Sequence, residues 1–410
     1  MSELSDSIIQ NMTNLPKHNC TGCMACEAVC PKNAISFQIQ GGFYSKSISD
    51  SCIKCGLCEL VCPTLHPSVS RIPSQIFSAQ YKDTRVLLNS SSGAVFAGLA
   101  QSVLNDGGLV SGATIRGLGV IHEISDCDYQ KFQGSKYLQS YSATVYPIII
   151  SELKRGKTVL FSGTPCQVAG LLGIAKIKNV DTTNLITLDV ICHGVPSFSL
   201  ISLFEKHLKK KIKRFISFRD KVGGWNSHYA TTVEFIDDSV LRDDSGFFSN
   251  GFSGFKMLRN SCYHCPYKDI HRCSDITVGD LWGGHTNSDD TKGLSLLLVN
   301  SEKGESIINK VKNSFELCDI EKEKYWLLGN PNLCNHKNPY KYHPLRVLLN
   351  FNMRHLPSWI NDACYCGAYD EGVKGLLLQK AVHFIDMPFD KLLRYERRKS
   401  CKKVLSDFSD

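Results

Sequence analysis

No stretch of eighteen or more apolar residues occurs in the 410-residue sequence, so it offers no candidate for a membrane-spanning helix. The first twenty residues, MSELSDSIIQNMTNLPKHNC, lack the charged-then-apolar pattern of a secretory leader, and a cytoplasmic protein is expected. Long blocks of one charge sign are scarce as well. Lys and Arg are scattered apart from short runs at 209–213 and 394–403, and no nucleic-acid reading motif accompanies the formal charge of +8. No nucleic-acid partner is therefore expected. What the chain has in excess is cysteine, nineteen in all, eight of them between Cys20 and Cys62. In a small secreted domain that density would mean disulfides. In a long chain without a leader, at metal-type spacing, it means ligands kept reduced.

The segment Cys20-Thr-Gly-Cys23-Met-Ala-Cys26-Glu-Ala-Val-Cys30-Pro31 reads C-x2-C-x2-C-x3-C-P, and Cys52-Ile-Lys-Cys55-Gly-Leu-Cys58-Glu-Leu-Val-Cys62-Pro63 repeats it. A cubane needs four thiolates at tetrahedral corners; a tight x2 loop supplies three, and the fourth crosses from the other copy. One [4Fe-4S] cluster is expected on Cys20, Cys23, Cys26 and Cys62, and a second on Cys52, Cys55, Cys58 and Cys30. Zinc sites prefer ligands in C-x2-4-C pairs and fit this pattern poorly. Gly22 and Gly56 let backbone amides approach sulfur, and 34–37 with 42–46 read as a short hairpin between the copies.

After a Pro/Ser-rich joint at 67–73 the pattern becomes strand, helix, strand, the start of an α/β domain. Ser90-Ser-Ser92-Gly93 precedes an apolar-periodic helix ending at Gly107-Gly108, and Gly134-Ser135-Lys136-Tyr137-Leu-Gln-Ser140 precedes another from about 143 to 154. Both turns suit an anionic group, though for the first, taken alone, an ordinary N-cap is the simpler reading. A buried strand at 158–163 runs through Gly163 and Thr164 into Cys166, and a second at 185–191 ends in Cys192-His193, so both cysteines sit at strand carboxyl ends. With Cys262 and Cys265 they suit a third cubane, for which Cys273 competes for the last place. Read alone, Cys166 and Cys192 equally suit two small buried hydrophobes, and Cys262 with Cys265 half a zinc site.

Taken together, GSKYLQS, VLFSGTPCQVAGL, DVICHGVPS, FRDKVGGW and CYHCPYKDIHRCSDITVGDLWG, spread over about residues 85–300, resemble the coenzyme F-420 hydrogenase/dehydrogenase beta-subunit family. With the ferredoxin pair in front, the whole chain is similar to the fused form found in the deazaflavin dehydrogenase of methanogens and in many bacterial homologues. The resemblance implies a bound FAD, a further [4Fe-4S] cluster beside it, and hydride exchange at the flavin coupled to one-electron traffic. By motif, Cys166, Cys192, Cys262 and Cys265 match the family's cluster cysteines, whereas Cys273 stands where the family is not expected to have one. Gly134, Ser135, Lys136 and Tyr137 fall in its GSKY motif and Ser92 and Gly93 in its serine–glycine turn; with Gly163 and Thr164 they are the expected flavin-binding residues. Three clusters and a flavin dinucleotide would bring about eight negative charges, close to cancelling the basic excess.

His193, beside an expected ligand and titrating near neutral pH, is the candidate catalytic residue, with a hydrogen-bonded structural histidine as the alternative. Asp275 and Asp280 flank a short strand and either approach the cofactors or cap turns. Cys318, Cys334, Cys364, Cys366 and Cys401 show no cluster spacing. From Glu371 onward apolar and basic positions alternate at helical spacing, suiting either a cap on the protein or a partner or peripheral membrane contact.

The expected fold is an α+β, pseudo-twofold two-cluster ferredoxin module over 11–67 (repeats about 11–40 and 43–67), then an α/β flavin-binding domain in two parts, 76–160 and 161–315, then a helical basic extension over 316–410. The expected function is that of an FAD- and iron–sulfur-dependent oxidoreductase fed by ferredoxin or a redox partner subunit, acting on the deazaflavin coenzyme or on a sugar-linked or unsaturated small molecule. A non-catalytic electron-relay subunit is the alternative.

Overall fold

The computed structural model describes residues 19–225, 229–282, 290–321, 325–334, 338–342 and 373–407. The two cysteine triplets open short helices, α1 (Ala25–Val29) and α2 (Leu57–Leu60), on either side of an antiparallel hairpin, β1 (Ile35–Gln40) and β2 (Phe43–Ile48). The two cysteine loops share a backbone. The second residue after the first cysteine is left-handed in each (Gly22, φ 69°; Lys54, φ 56°), and so is the fourth (Met24, φ 63°; Gly56, φ 74°). Glycine relieves this conformation at one of the two positions in each copy.

The remainder is built on a nine-stranded mixed sheet formed by β3 (Gln75–Tyr81), β4 (Leu109–Arg116), β5 (Gly119–Ser125), β6 (Ser140–Tyr141), β7 (Val159–Gly163), β8 (Leu185–Val190), β12 (Ile276–Asp280), β13 (Ser295–Val299) and β14 (Phe315–Asp319), ordered β14-β3-β13-β12-β8-β7-β4-β5-β6. A side sheet contains β9 (Ile212–Ser217), β10 (Thr231–Phe235) and β11 (Val240–Asp243). Strands β4, β7, β8 and β12 run parallel at the centre. Their carboxyl ends are where α/β sheets place ligands. β7 and β8 are nearly continuous apolar runs, as strands covered on both faces require.

One face is covered by α3 (Val95–Asn105), whose Leu99 packs in one core with Leu160 and Leu188. The other is covered by α4 (Val145–Lys154) and α5 (Pro165–Ile177), which meet Val159 and Phe161 in a second core. Alternation along β7 separates the two. The division expected at 160/161 falls inside β7, and the one at 315/316 falls inside β14, because the sheet interleaves strands from both halves of the chain. At the far end α6 (Val373–Asp407) folds back along the protein, burying Leu393 and Cys401. Its Asp386 pairs with Lys256 at 2.6 Å, and its Asp390 accepts from the Tyr340 hydroxyl. Over the part of this helix whose side chains are described, the cap arrangement is the one found. No helix among the described residues is long and apolar enough to cross a membrane.

The dicluster module is fused into the second core rather than tethered to it: Cys23, Ala25, Val29 and Val61 pack with Val168, Ala169 and Leu171 of α5. The approach is close because α5 presents Gly170, where a Cβ would lie 3.1 Å from the Ala25 Cβ and 3.3 Å from the Cys23 Sγ. Gly170→Val is therefore expected to cost about 1–3 kcal/mol through overpacking and to lower iron per chain with it. Anaerobic urea unfolding with iron analysis checks this; an unchanged midpoint and iron content would remove the contact from the account.

Candidate functional site

A cavity of about 580 Å³ opens at the carboxyl ends of β7 and β8, within the range of small-molecule and cofactor sites. The turn after β7 builds one wall. Gln167 accepts from the Thr164 amide at 3.0 Å and donates to Ser140, which holds the start of α5 and sets Cys166 at its first turn. Cys192 follows β8, and the short helical turn at Asn260–His264 brings Cys262 and then Cys265 to the same wall. Burial raises each of Cys166, Cys192 and Cys265, to about 11 for Cys166 and about 12 for Cys265, and the nearby Cys262 adds to the rise in every case. Thiols this difficult to ionise in the free protein become thiolates on a metal, whose charge offsets both burial and mutual repulsion. Cys273 takes no place on the wall. It packs into the core beneath α5, its sulfur 3.9 Å from the Pro165 carbonyl.

A second, small cavity is bounded by Cys20, Cys23, Cys26 and Cys62, three sulfurs from the first copy and one from the second. Cys58 is raised by burial and then by Cys55, with Cys52 also nearby, while Cys30 and Cys58 pack against the same small core around Met24. Burial raises Cys23 most, and Cys166 is the next cause, which brings the first loop of the module against the wall of the large cavity. Two buried side chains lock that apposition. Gln139 donates to the Thr21 and Gly22 carbonyls at 3.0 and 2.9 Å, and Arg259 donates to Cys20 O, Tyr44 O and Gln139.

The turns expected to take an anionic group meet at the same cavity. Ser91 accepts from Ser135 at 2.8 Å, and Ala94, Val95 and Phe96 at the start of α3 line the wall with Gly134 and Gly163. Three expected roles change in detail. Gly93 lies off the wall, its amide donating to Ser295 Oγ, and Ser92 donates to the Leu294 carbonyl, so this pair anchors the loop to β13. Lys136 Nζ donates to the carbonyls of Phe132, Gln133 and Gly134, and burial lowers it to about 7; it folds its own turn. Lys221 braces the serine turn in the same way, through the carbonyls of Leu87, Ser92 and Lys292. Tyr137 stacks on Phe252 at 4.4 Å, presenting a flat wall. His193 lies against Phe255 and Phe252, at 4.3 and 5.2 Å between ring centroids.

Asp275 and Asp280 part ways. Asp275 accepts from Thr187 and Ser301 and ties strands together, whereas Asp280 lines the cavity and pairs with buried Arg219 at 2.7 Å. Arg219 lies over the Tyr229 ring, and its Nε and Nη2 have no acceptor in hydrogen-bonding geometry among the described residues. Nothing in FRDKVGGW singles out this arginine; only its burial marks it. His122 escapes sequence reasoning entirely, hidden in the alternation of β5. It is buried on the wall, stacked on Phe161, with Nε2 on the Ser162 carbonyl and Nδ1 without a partner among the described residues. Cys334 and Cys401 are buried with sulfurs 2.9 Å apart, far from any cysteine loop in sequence. Cys364 and Cys366 lie outside the described residues.

Burial lowers His122 from 6.5 to about 4. A group depressed on folding is protonated first in the unfolded chain, so stability falls as pH drops below 6.5, by about 1 kcal/mol between pH 7 and 5.5. His122→Phe is expected to flatten that part of the pH dependence, read from anaerobic unfolding midpoints; an unaltered slope would mean that the ring is protonated in place.

Residues 156–323 match the C-terminal domain of the coenzyme F420 hydrogenase/dehydrogenase beta subunit, and residues 19–65 match a 4Fe-4S dicluster domain. Among solved structures, the F420-reducing [NiFe] hydrogenase complex from Methanosarcina barkeri contains a chain 16% identical, with 65% of this chain and 90% of that one covered and a TM-score of 0.44. Comparison with curated proteins finds no match. The protein is an iron–sulfur oxidoreductase with a coenzyme F420 hydrogenase/dehydrogenase beta-subunit-like domain and a 4Fe-4S dicluster domain at its N-terminus.

Proposed function

We propose that the chain is an FAD-dependent flavoprotein with three [4Fe-4S] clusters, coupling hydride exchange with a small substrate to single-electron transfer. The observation that carries this reading is that one cavity holds both a quartet of cysteines and the hydroxyl-rich turns that precede α3 and follow Phe132. Cys20, Cys23, Cys26 and Cys62 would hold one cluster; Cys52, Cys55, Cys58 and Cys30 a second; Cys166, Cys192, Cys262 and Cys265 the third. The donor sets fit, each being all-thiolate and the third drawn from separate rigid turns. When bound, a flavin supplies the interconversion of two-electron and one-electron chemistry.

The protein's own groups suit such a guest. Ser91, Ser135 and the amides opening α3 would take a diphosphate, since a helix N-terminus favours negative charge. Tyr137 on Phe252 offers an aromatic face to a planar ring. Nδ1 of His122, whose other nitrogen is on Ser162, is left as an acceptor for a donor group of the guest, and Arg219 carries donors for an oxygen. His193, one residue from Cys192, would hold or release a proton at the substrate. Reduced or oxidised deazaflavin coenzyme F-420 is the first candidate substrate and a sugar-linked or unsaturated intermediate the second, with ferredoxin or a partner subunit exchanging electrons with the dicluster module.

Anaerobic purification with iron and flavin quantified per chain, followed by mixing with reduced F-420, tests the reading. About twelve irons, one FAD and rapid bleaching of the flavin band are expected. The same cofactors without bleaching would discard that substrate, with no turnover of any small molecule pointing to a relay subunit, and about eight irons without flavin would overturn the proposal. Cys166→Ser should lose about four irons and leave the dicluster signals intact.

A further inference from the structure

A buried ammonium needs an anion within reach, because desolvating an unpaired charge is expensive. Lys268 is only 5% exposed, and its Nζ has no hydrogen-bond acceptor and no ion-pair partner among the described residues. It lines the cavity beside Cys192, Cys262 and Cys265. The turn that presents the last two sulfurs also delivers the lysine: in Cys262-x2-Cys265-x2-Lys268 the Lys268 amide donates to the Cys265 carbonyl at 3.2 Å, folding the chain back over them.

A second cation stands behind the first. Arg397 of α6 reaches in over the Phe255 ring at 5.2 Å, close enough to act on Lys268 electrostatically, and its Nε is buried without an acceptor among the described residues. Of the nearby carboxylates of α6, Asp386 pairs with Lys256, and Asp390 accepts from the Tyr340 hydroxyl while acting on Arg397 rather than on Lys268. A buried cation with a second, half-buried one behind it is compatible with a folded protein when negative charge resides at the sulfurs beside them.

Resting on the third-cluster reading above, we propose that Lys268 is the counter-charge of the group held by Cys166, Cys192, Cys262 and Cys265, a positioning residue that sets how readily this cluster is reduced. Four thiolates on a 2+ core carry net charge −2, and one-electron reduction makes it −3; a fixed cation alongside favours the more negative state and raises the potential. Arg397 acts in the same sense from α6, so the C-terminal helix contributes to the redox site without touching the cavity's guest.

The test is an anaerobic potentiometric titration of the full-length protein with dithionite, followed by electron paramagnetic resonance, on wild type, Lys268→Met and Lys268→Arg. Lys268→Met is expected to keep about twelve irons and to shift one cluster to lower potential by a tenfold change in its one-electron equilibrium, about 59 mV. Lys268→Arg should stay near wild type, and the dicluster potentials should not move. Lys268→Met with full iron and an unmoved potential would overturn the proposal while leaving the quartet in place. Only about eight irons and two titrating clusters in wild type would instead overturn the third-cluster reading. If Lys268→Met loses about four irons, Arg397→Met decides: a lower potential of the same cluster sustains the electrostatic role, and an unshifted one ends it.

Discussion

The closeness of α5 to the dicluster loop is the constraint from which the rest of the site follows. A helix that enters directly from β7, with glycine at position 170, can lie against Cys23 and Ala25 while its first turn carries Cys166 to the cavity. The same element therefore touches both cysteine assemblies. Bulkier side chains along that face would separate them, and one-electron transfer between centres depends on their proximity. The cores agree with this: residues of the module and residues of the sheet domain form one packed unit, so the module cannot swing away without opening the interior.

Electrostatics gives the site its second organising rule. Many of its cysteines are raised by burial and by one another, and the buried cations nearby, Lys268, Arg259 and Arg219, are disposed around the cavity or its walls. Arg259 donates to the Cys20 and Tyr44 carbonyls and Arg219 is paired with Asp280; among the described residues Lys268 has only the sulfurs. Part of the chain's positive charge is therefore interior, and at Lys268 it is placed beside the cysteines of the cavity wall.

Several residues in family-like motifs build the cavity instead of lining it with free donors. Lys136 and Lys221 each cap three carbonyls, which gives the serine turns a fixed shape that glycine-rich loops would otherwise lack, and Ser92 with Gly93 pins one of those turns to β13. A lysine inside a glycine–serine motif reads from sequence as a ligand for an anion. Its long stem lets it reach backward as easily as outward, and burial favours the carbonyls it already has.

What the sequence by itself determined is local. The spacing of Cys20 to Cys62 dictates the loops, the hairpin and the crossing of one sulfur between copies, because x2 intervals and C-P turns leave few conformations, and the apolar runs before Gly163 and Cys192 dictate two parallel strands ending in cysteine. Which distant residues share the cavity was decided only by tertiary structure. His122 carries no signal beyond a polar residue in an alternating strand, Arg219 is one of many arginines, and Arg397 belongs to a helix whose pattern suits solvent, partner or core alike. Their roles arise from burial next to groups far away in sequence, and the free energy of burying a charge depends on what surrounds it in space, a quantity that neighbours along the chain do not specify.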